Sequence, residues 1–286
     1  MTDVELQAGL RQKAKELLES GEVEVVLGWK LDPAIEDVRP TLFRKGDNLE
    51  EMVFDDRCVH NLTDYLPTLV ARYPRVGVVL KGCDGRSLVT LAVEHRVQRD
   101  KVRVLAPACE GVKVNGARAP KCDDCPTGTA PGADFVFGKS QSRGEAEFKA
   151  LERIEQMAPE ERWQFFSEQF AKCQRCYACR QVCPMCYCEL CIADQPEPRW
   201  IEPSNKLSAN TMWHLVRAYH LAGRCSDCGE CQRACPEGIP LRLLNTALEK
   251  AVKEMFGTRA GTTPDELPPL VTLAQEDPDA IMGEAL

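Results

Sequence analysis

Long apolar runs are missing from this chain: its longest purely hydrophobic stretches are only a few residues, against the roughly 20 that a helix needs to cross a bilayer. No apolar signal segment stands at its start, which argues against export. A surplus of basic charge is also missing. With 36 Lys and Arg against 44 Asp and Glu, the net charge is −8, which disfavours nucleic-acid binding. Nor is there a convincing nucleophile with a base, or a dinucleotide fingerprint. The turn KGCDGRS at 81–87 offers two glycines after a strand, weak evidence for a phosphate cradle. The expectation is a cytoplasmic protein with no direct membrane insertion, reaching a membrane only through a partner.

What the chain has in abundance is cysteine, sixteen in all, eleven of them between 173 and 235. In a small secreted protein such a count signals disulfides, whereas clustered cysteines in an intracellular chain signal metal ligation. CQRCYACRQVCP at 173–184 and CSDCGECQRACP at 225–236 repeat one pattern, C-x2-C-x2-C-x3-C-P. In two-cluster bacterial-type ferredoxins three thiolates of such a run hold one [4Fe–4S] cube and the fourth reaches across to the other. By that rule Cys173, Cys176, Cys179 and Cys235 form one ligand set, and Cys225, Cys228, Cys231 and Cys183 a second. Pro184 and Pro236 then redirect the chain. A zinc site would need two C-x2-C knuckles, or Cys and His pairs, around one tetrahedral ion, and two four-cysteine runs overshoot that.

Upstream the pattern is α/β. Leu6, Leu10, Ala14, Leu17 and Leu18 recur at helical spacing behind Asp3 as an N-cap, and Gly21 ends the run. The β-branched EVEVVLG follows. VGVVL at 76–80 and VRVLA at 102–106 read as strands flanking a helix from Ser87, a βαβ unit with parallel strands. Parallel strands so joined end on one edge of the sheet, where open α/β sheets place ligands. Cys83 and Cys109 therefore meet at that edge, and KCDDCP brings Cys122 and Cys125 toward it. Four thiolates converging on one site is one reading. The alternative is two buried structural thiols with a lone zinc, or nothing, at Cys122 and Cys125.

The segments KGCDGRSL, APACEGV and KCDDCPTGTAPGADFVFGK are similar, in order and spacing, to the domain shared by the beta subunits of coenzyme F420-reducing hydrogenases and F420-dependent formate dehydrogenases. The resemblance covers roughly residues 76–140 and implies that Cys83, Cys109, Cys122 and Cys125 bind a [4Fe–4S] cluster. Family members continue into a longer segment that helps to bind FAD and the deazaflavin. This chain leaves the motif near Lys139, so FAD is disfavoured.

Residues 145–170 read as helical, with Phe148, Leu151, Ile154 and Met157 on one stripe and a break at Pro159, and Trp163 and the phenylalanines read as core. His214 and His220 lie on a helix as packed or solvated residues. From about 160 to 257, helices between and after the cysteine runs resemble the helical two-cluster ferredoxins of heterodisulfide reductase and succinate dehydrogenase iron–sulfur subunits. The fold expected is an α/β N-terminal domain with a small parallel sheet, followed by a mainly α-helical dicluster ferredoxin domain. Its boundaries are 1–140 for the α/β iron–sulfur domain, 141–170 for a helical connector, 171–257 for the ferredoxin domain and 258–286 for a Pro- and acid-rich tail.

Three further cysteines, Cys186, Cys188 and Cys191, follow the first run. With Cys58 they would complete four sets of four, a fourth centre, while a buried structural thiol is an equal reading of Cys58. The function expected is an iron–sulfur electron-transfer subunit carrying three [4Fe–4S] clusters, with a fourth as an open alternative. It would work beside catalytic hydrogenase, formate dehydrogenase or heterodisulfide-reductase-like chains. The alternative is a flavin-containing, F420-type oxidoreductase subunit with its own hydride-transfer site.

Overall fold

The helical spacing of the N-terminal leucines is realised as helix α1, Asp3–Glu19, in which Leu6, Leu10, Ala14, Leu17 and Leu18 are all buried. Gly21, at φ +73°, ends it, in the left-handed conformation that costs glycine least. The structure, a computed structural model, describes residues 3–123, 125–139, 148–264 and 267–269. The chain divides into two units, 1–147 with 261–265 and 148–260 with 266–286.

In the first unit α1 is followed by β1 (Val25–Asp32), β2 (Asp37–Phe43), β3 (Met52–Val53), α2 (Leu66–Arg72), β4 (Val76–Val79), α3 (Gly82–Val93), β5 (Val102–Pro107), β6 (Lys113–Val114), β7 (Ala117–Arg118) and β8 (Phe135–Phe137). The main sheet runs β2-β1-β4-β5-β8, with β3 also on β1. Its β1, β4, β5 and β8 are parallel neighbours, and β2 and β3 are antiparallel to β1. Every residue of β4 is buried, as expected of a central parallel strand covered on both faces. Pro40 is accommodated because β2 is an edge strand, where a missing N–H breaks no ladder on the outer side. β6 and β7 form a separate two-stranded hairpin.

The helix after β4 starts earlier than the sequence suggests, at Gly82 rather than Ser87. Lys81 is extended, and the Gly85 N–H donates to its carbonyl at 2.8 Å, closing the first turn. Cys83 and Asp84 thus lie inside the first turn of α3 instead of in a loop before it. Strands β2 and β8 were not foreseen. β8 extends the parallel ladder beyond β5 and ties the segment after Cys125 to the carboxyl edge.

The second unit is helical: α4 (Glu152–Glu155), α5 (Pro159–Ala171), α6 (Ala178–Gln181), α7 (Leu207–His220), α8 (Glu230–Arg233) and α9 (Leu241–Phe256). α7 packs against α5 and α9, and the short α6 and α8 pack on each other. Cys179, Ala193, Ile201, Trp213, Cys231, Ile239 and Leu241 form the core between them. Phe170 is buried, but Trp163 is 57% exposed, so the expectation that it packs in the core is corrected: on α5 it falls on the solvent side. The helical stretch expected over 145–170 with its break at Pro159 comprises, from Phe148 on, a turn from Lys149 to Leu151, α4 and α5, Pro159 starting the last as its first residue because its ring tolerates only the first turn. Residues 140–147 and 270–286, including most of the expected tail, lie outside the described residues.

Candidate metal centres

The two cysteine runs fold alike. Two residues after the first cysteine, Arg175 (φ +59°) and Asp227 (φ +54°) are left-handed, as are Tyr177 (+60°) and Gly229 (+70°) two residues later. Each Arg175 and Asp227 N–H points back at the first thiol, 3.4 Å from Cys173 Sγ and 3.4 Å from Cys225 Sγ. The four-residue helices α6 and α8 follow. Gly229 adopts this conformation freely, whereas Tyr177 bears a cost of about 1–2 kcal/mol. Its ring compensates with an edge contact to Trp213, centroids 5.1 Å apart, and with the Arg180 guanidinium at 4.6 Å.

Folding regroups the thiols across the runs. Cys173, Cys176, Cys179 and Cys235 line one cavity with Tyr177, Trp213 and His214. Burial raises the Cys173 thiol, with Cys235 and Cys176 adding to the rise, and Cys179 is raised by burial and by Cys173, Cys235 and Cys176. Cys231 is pushed up to about 11 by burial, with Cys183 of the other run among the thiols acting on it. Cys225 is raised by burial, then by Glu249, Asp227, Cys228 and Cys231. Asn245 Nδ2 donates to Cys231 Sγ at 3.7 Å.

Among the described residues no three Cys, His, Asp or Glu side chains are drawn together around a single-ion position; the thiols line a space instead. All sixteen cysteines are thiols rather than half-cystines. Buried thiols with N–H groups aimed at sulfur fit a thiolate-ligated cluster, since such sites need deprotonated sulfur, a compensating cation and hydrogen bonds to it.

At the carboxyl edge of the first unit's sheet the four expected thiols act on one another in pairs, Cys125 on Cys83 and Cys122 and Cys125 on Cys109. Burial raises Cys109, with Cys122 and Cys125 adding, and raises Cys83 well above its usual value, with Cys125 among its neighbours. The Val112 N–H reaches Cys122 Sγ at 3.3 Å, and Cys109 N–H donates to Gly128 O at 2.7 Å. Two buried lysines face this group, an element the sequence reading missed. Lys81 Nζ is 2.7 Å from both Asp84 Oδ2 and His60 O and sits 4.7 Å above the Trp29 ring. Lys121 Nζ is 3.4 Å from Val59 O, and its charge opposes the rise of Cys83. The signal was present as a lysine within two residues before Cys83 and directly before Cys122. Beside Cys109 a cleft of roughly 720 Å³ is lined by Phe54, Asp56, Glu110, Gly111, Arg118 and Lys139 among others.

The remaining four cysteines fall in different settings. Cys58, in the first unit, has no exposed surface; it accepts the Asp55 N–H at 3.4 Å and is pushed up to about 12 by burial. In the second unit Cys186 is lowered by a hydrogen bond from Cys183, Cys188 is exposed, and Cys191 bonds the Arg180 side chain. Also missed by sequence was Arg217 of α7, a buried guanidinium whose Nη2 donates to Cys179 O at 3.0 Å and which acts on Cys183, Cys231, Cys186 and Cys179. His214 is buried and stacked on Phe170, centroids 4.8 Å apart, and burial with Arg217 and Arg175 lowers it to about 4.

The chain is 30% identical over 114 residues to the F420-dependent formate dehydrogenase subunit beta of Methanocaldococcus jannaschii, covering 40% of this chain and 28% of that one. It is 39% identical over 107 residues to the F420-dependent formate dehydrogenase 1 subunit beta of Methanococcus maripaludis, 36% and 26% of the two chains. The N-terminal region resembles these beta subunits. The matches span about a quarter of the relatives' length. No protein-family model matches the chain. Among the described residues no helix is long and apolar enough to cross a membrane.

Proposed function

We propose that this chain is an iron–sulfur electron-transfer subunit of a multi-subunit redox complex, working in the cytoplasm beside a catalytic formate dehydrogenase, hydrogenase or heterodisulfide-reductase-like chain. The relatives named as formate dehydrogenase subunits support membership of such a complex. The observation that carries the relay reading is the regrouping of Cys235 with Cys173, Cys176 and Cys179 around one cavity, the crossing that a two-cluster ligand scheme requires. On this reading residues 171–257 form the helical dicluster domain, with Cys225, Cys228, Cys231 and Cys183 as the second set. Cys83, Cys109, Cys122 and Cys125 form the third, in the domain of residues 1–140. Bound there, [4Fe–4S] clusters supply one-electron oxidation and reduction.

The chain's own residues then have defined work. The Arg175, Asp227 and Val112 N–H groups hydrogen-bond sulfur. Arg217, Lys81 and Lys121 set positive charge among the thiols, which favours the anionic ligand state. The test is anaerobic purification with iron and acid-labile sulfide analysis: about twelve of each per chain for three clusters and about sixteen for four. Mass spectrometry of co-purifying chains identifies the catalytic partner. A count near eight removes the first unit's cluster, and zinc in place of iron overturns the reading.

The cleft beside Cys109 favours one other reading, a flavin-containing, F420-type subunit with its own hydride-transfer site. A yellow supernatant with a flavin spectrum after denaturation would select it.

A further inference from the structure

The two cysteine runs share a backbone but not a charge environment. At the third position of the first run stands Arg175, 7% exposed. Its guanidinium is held by neutral acceptors: Ala209 O at 2.9 Å, Tyr177 Oη at 3.0 Å and Glu202 O at 3.3 Å, with the Tyr177 and Trp213 rings at 5.3 and 5.5 Å. Its positive charge acts on Cys173. The matching position of the second run is Asp227. There the charges acting on Cys225 are carboxylates, Glu249 more strongly than Asp227. Arg242 pairs with Asp227 at 2.7 Å and Arg259 with Glu249 at 2.5 Å, so each carboxylate there is matched by its own cation, whereas the Arg175 guanidinium is held by neutral oxygens. Glu230, on α8, is likewise buried and is paired with Arg233 at 2.7 Å. On the first side the facing carboxylate is Glu237, which lines the cavity, is half-buried and accepts a hydrogen bond from Gln174, so water screens it in part. Arg217 acts on Cys179 of one set and on Cys183 and Cys231 of the other, so it favours both.

Adding one electron to a cluster adds one negative charge inside its ring of thiolates, and cluster potential follows the local charge and hydrogen bonding. A fixed cation held by neutral partners, as Arg175 is among the described residues, stabilises that added charge. A buried carboxylate opposes it. We infer that the site of Cys173, Cys176, Cys179 and Cys235 is the electron sink of the pair, reduced at higher potential than the site of Cys225, Cys228, Cys231 and Cys183, with Arg175 as the residue that positions this step. Electrons delivered by a one-electron donor to the second site would then run downhill to the first. The inference rests on the reading that both sets hold a [4Fe–4S] cluster.

The experiment is a potentiometric titration of the full anaerobic chain followed by electron paramagnetic resonance, in the natural protein, Cys122→Ala, Cys228→Ser, Arg175→Gln, Arg175→Lys and Glu249→Gln. Besides the midpoint of the first unit's cluster, which Cys122→Ala removes, two midpoints are expected from the second unit, and Cys228→Ser should leave the higher of these two. Arg175→Gln should lower that higher midpoint, and Arg175→Lys, which keeps the charge, should restore most of it. Glu249→Gln should raise the lower midpoint, a separate arm should Arg175→Gln fold poorly. A full iron count with the lower midpoint surviving in Cys228→Ser, or with neither charge variant moving its midpoint, overturns the inference alone. An iron count too low for two four-iron sites in the second unit sinks the proposed function and the inference together.

Discussion

Arg242 of α9 grips Asp227 of the second cysteine run through two parallel bonds of 2.7 Å, Nε to Oδ1 and Nη2 to Oδ2. Both side chains are about 5% exposed or less. The pair fixes the turn that aims the Asp227 N–H at Cys225. Removing one partner of a buried pair leaves the other charge unpaired, at about 3–5 kcal/mol. Arg242→Met is therefore expected to lower stability by that order in urea unfolding, and Arg242→Met with Asp227→Asn to recover a large part of it. Equal losses in the single and double variants would show that the pair is incidental.

Cys183 belongs in sequence to the first run but acts on Cys231 of the second. Cys183→Ser is expected to remove the cluster signal of the 225–231 site and spare that of the 173–179 site. Cys186 lies within hydrogen-bond reach of Cys183 and could stand in as a ligand, so Cys183→Ser with Cys186→Ser makes the test clean. Paramagnetic resonance on the reduced variants decides it. Loss of the 173–179 signal instead would mean that each run ligates its own cluster.

Gly85 is the contact that seats the 127–131 segment on α3: a Cβ there would stand 2.5 Å from Ala130 Cβ and 2.6 Å from its Cα. Gly82 is as tight, with a Cβ 2.2 Å from Thr127 O. This close approach carries Cys125 to Cys83. Gly85→Ala should force the segment away, costing about 1–3 kcal/mol of overpacking and about four irons per chain. Iron analysis and melting of the variant check both, and unchanged iron would separate Cys125 from the site.

What the sequence made legible was whatever is local or periodic. The α1 leucines and the repeated cysteine spacing carry their own period, and VGVVL is an unbroken valine-rich apolar run that is buried throughout β4, so helix, turn and strand followed from them. The start of α3 was misplaced because KGCDG reads as a turn by composition, while Lys81 adopts the extended conformation of a cap and lets the helix begin at once. β8 escaped notice because three residues carry no period, and its pairing with β5 is a tertiary fact. Trp163 was misread for the opposite reason: a large aromatic suggests a core, but the face of α5 that it occupies is set by what packs on the other side. Arg217 and Arg175 were invisible as site residues because nothing local distinguishes a solvated arginine from one enclosed by thiols. Helix packing alone decides that.

Cys58 offers a test of how many centres the chain carries, because it is the one cysteine outside both cysteine runs, the trio and the carboxyl-edge set. It has no exposed surface, accepts the Asp55 N–H and contacts the Val53 carbonyl at 3.9 Å. Burial pushes its thiol up to about 12, so in the folded chain it remains protonated across the range where an ordinary cysteine near 8.5 would ionise. The unfolded chain ionises more readily there, so burial of the thiol contributes stability below the unfolded value that is lost as the pH rises from it toward the folded one. Folded protein at pH 8 is therefore expected to leave Cys58 unmodified by iodoacetamide while denatured protein is alkylated there, as peptide mass spectrometry would read. Cys58→Ala should keep the iron content of the natural protein and lose about 1 kcal/mol or slightly more from the vacated sulfur volume. If the variant instead lost about four irons per chain, Cys58 would be a ligand, and a fourth centre with Cys186, Cys188 and Cys191 would become the reading to pursue.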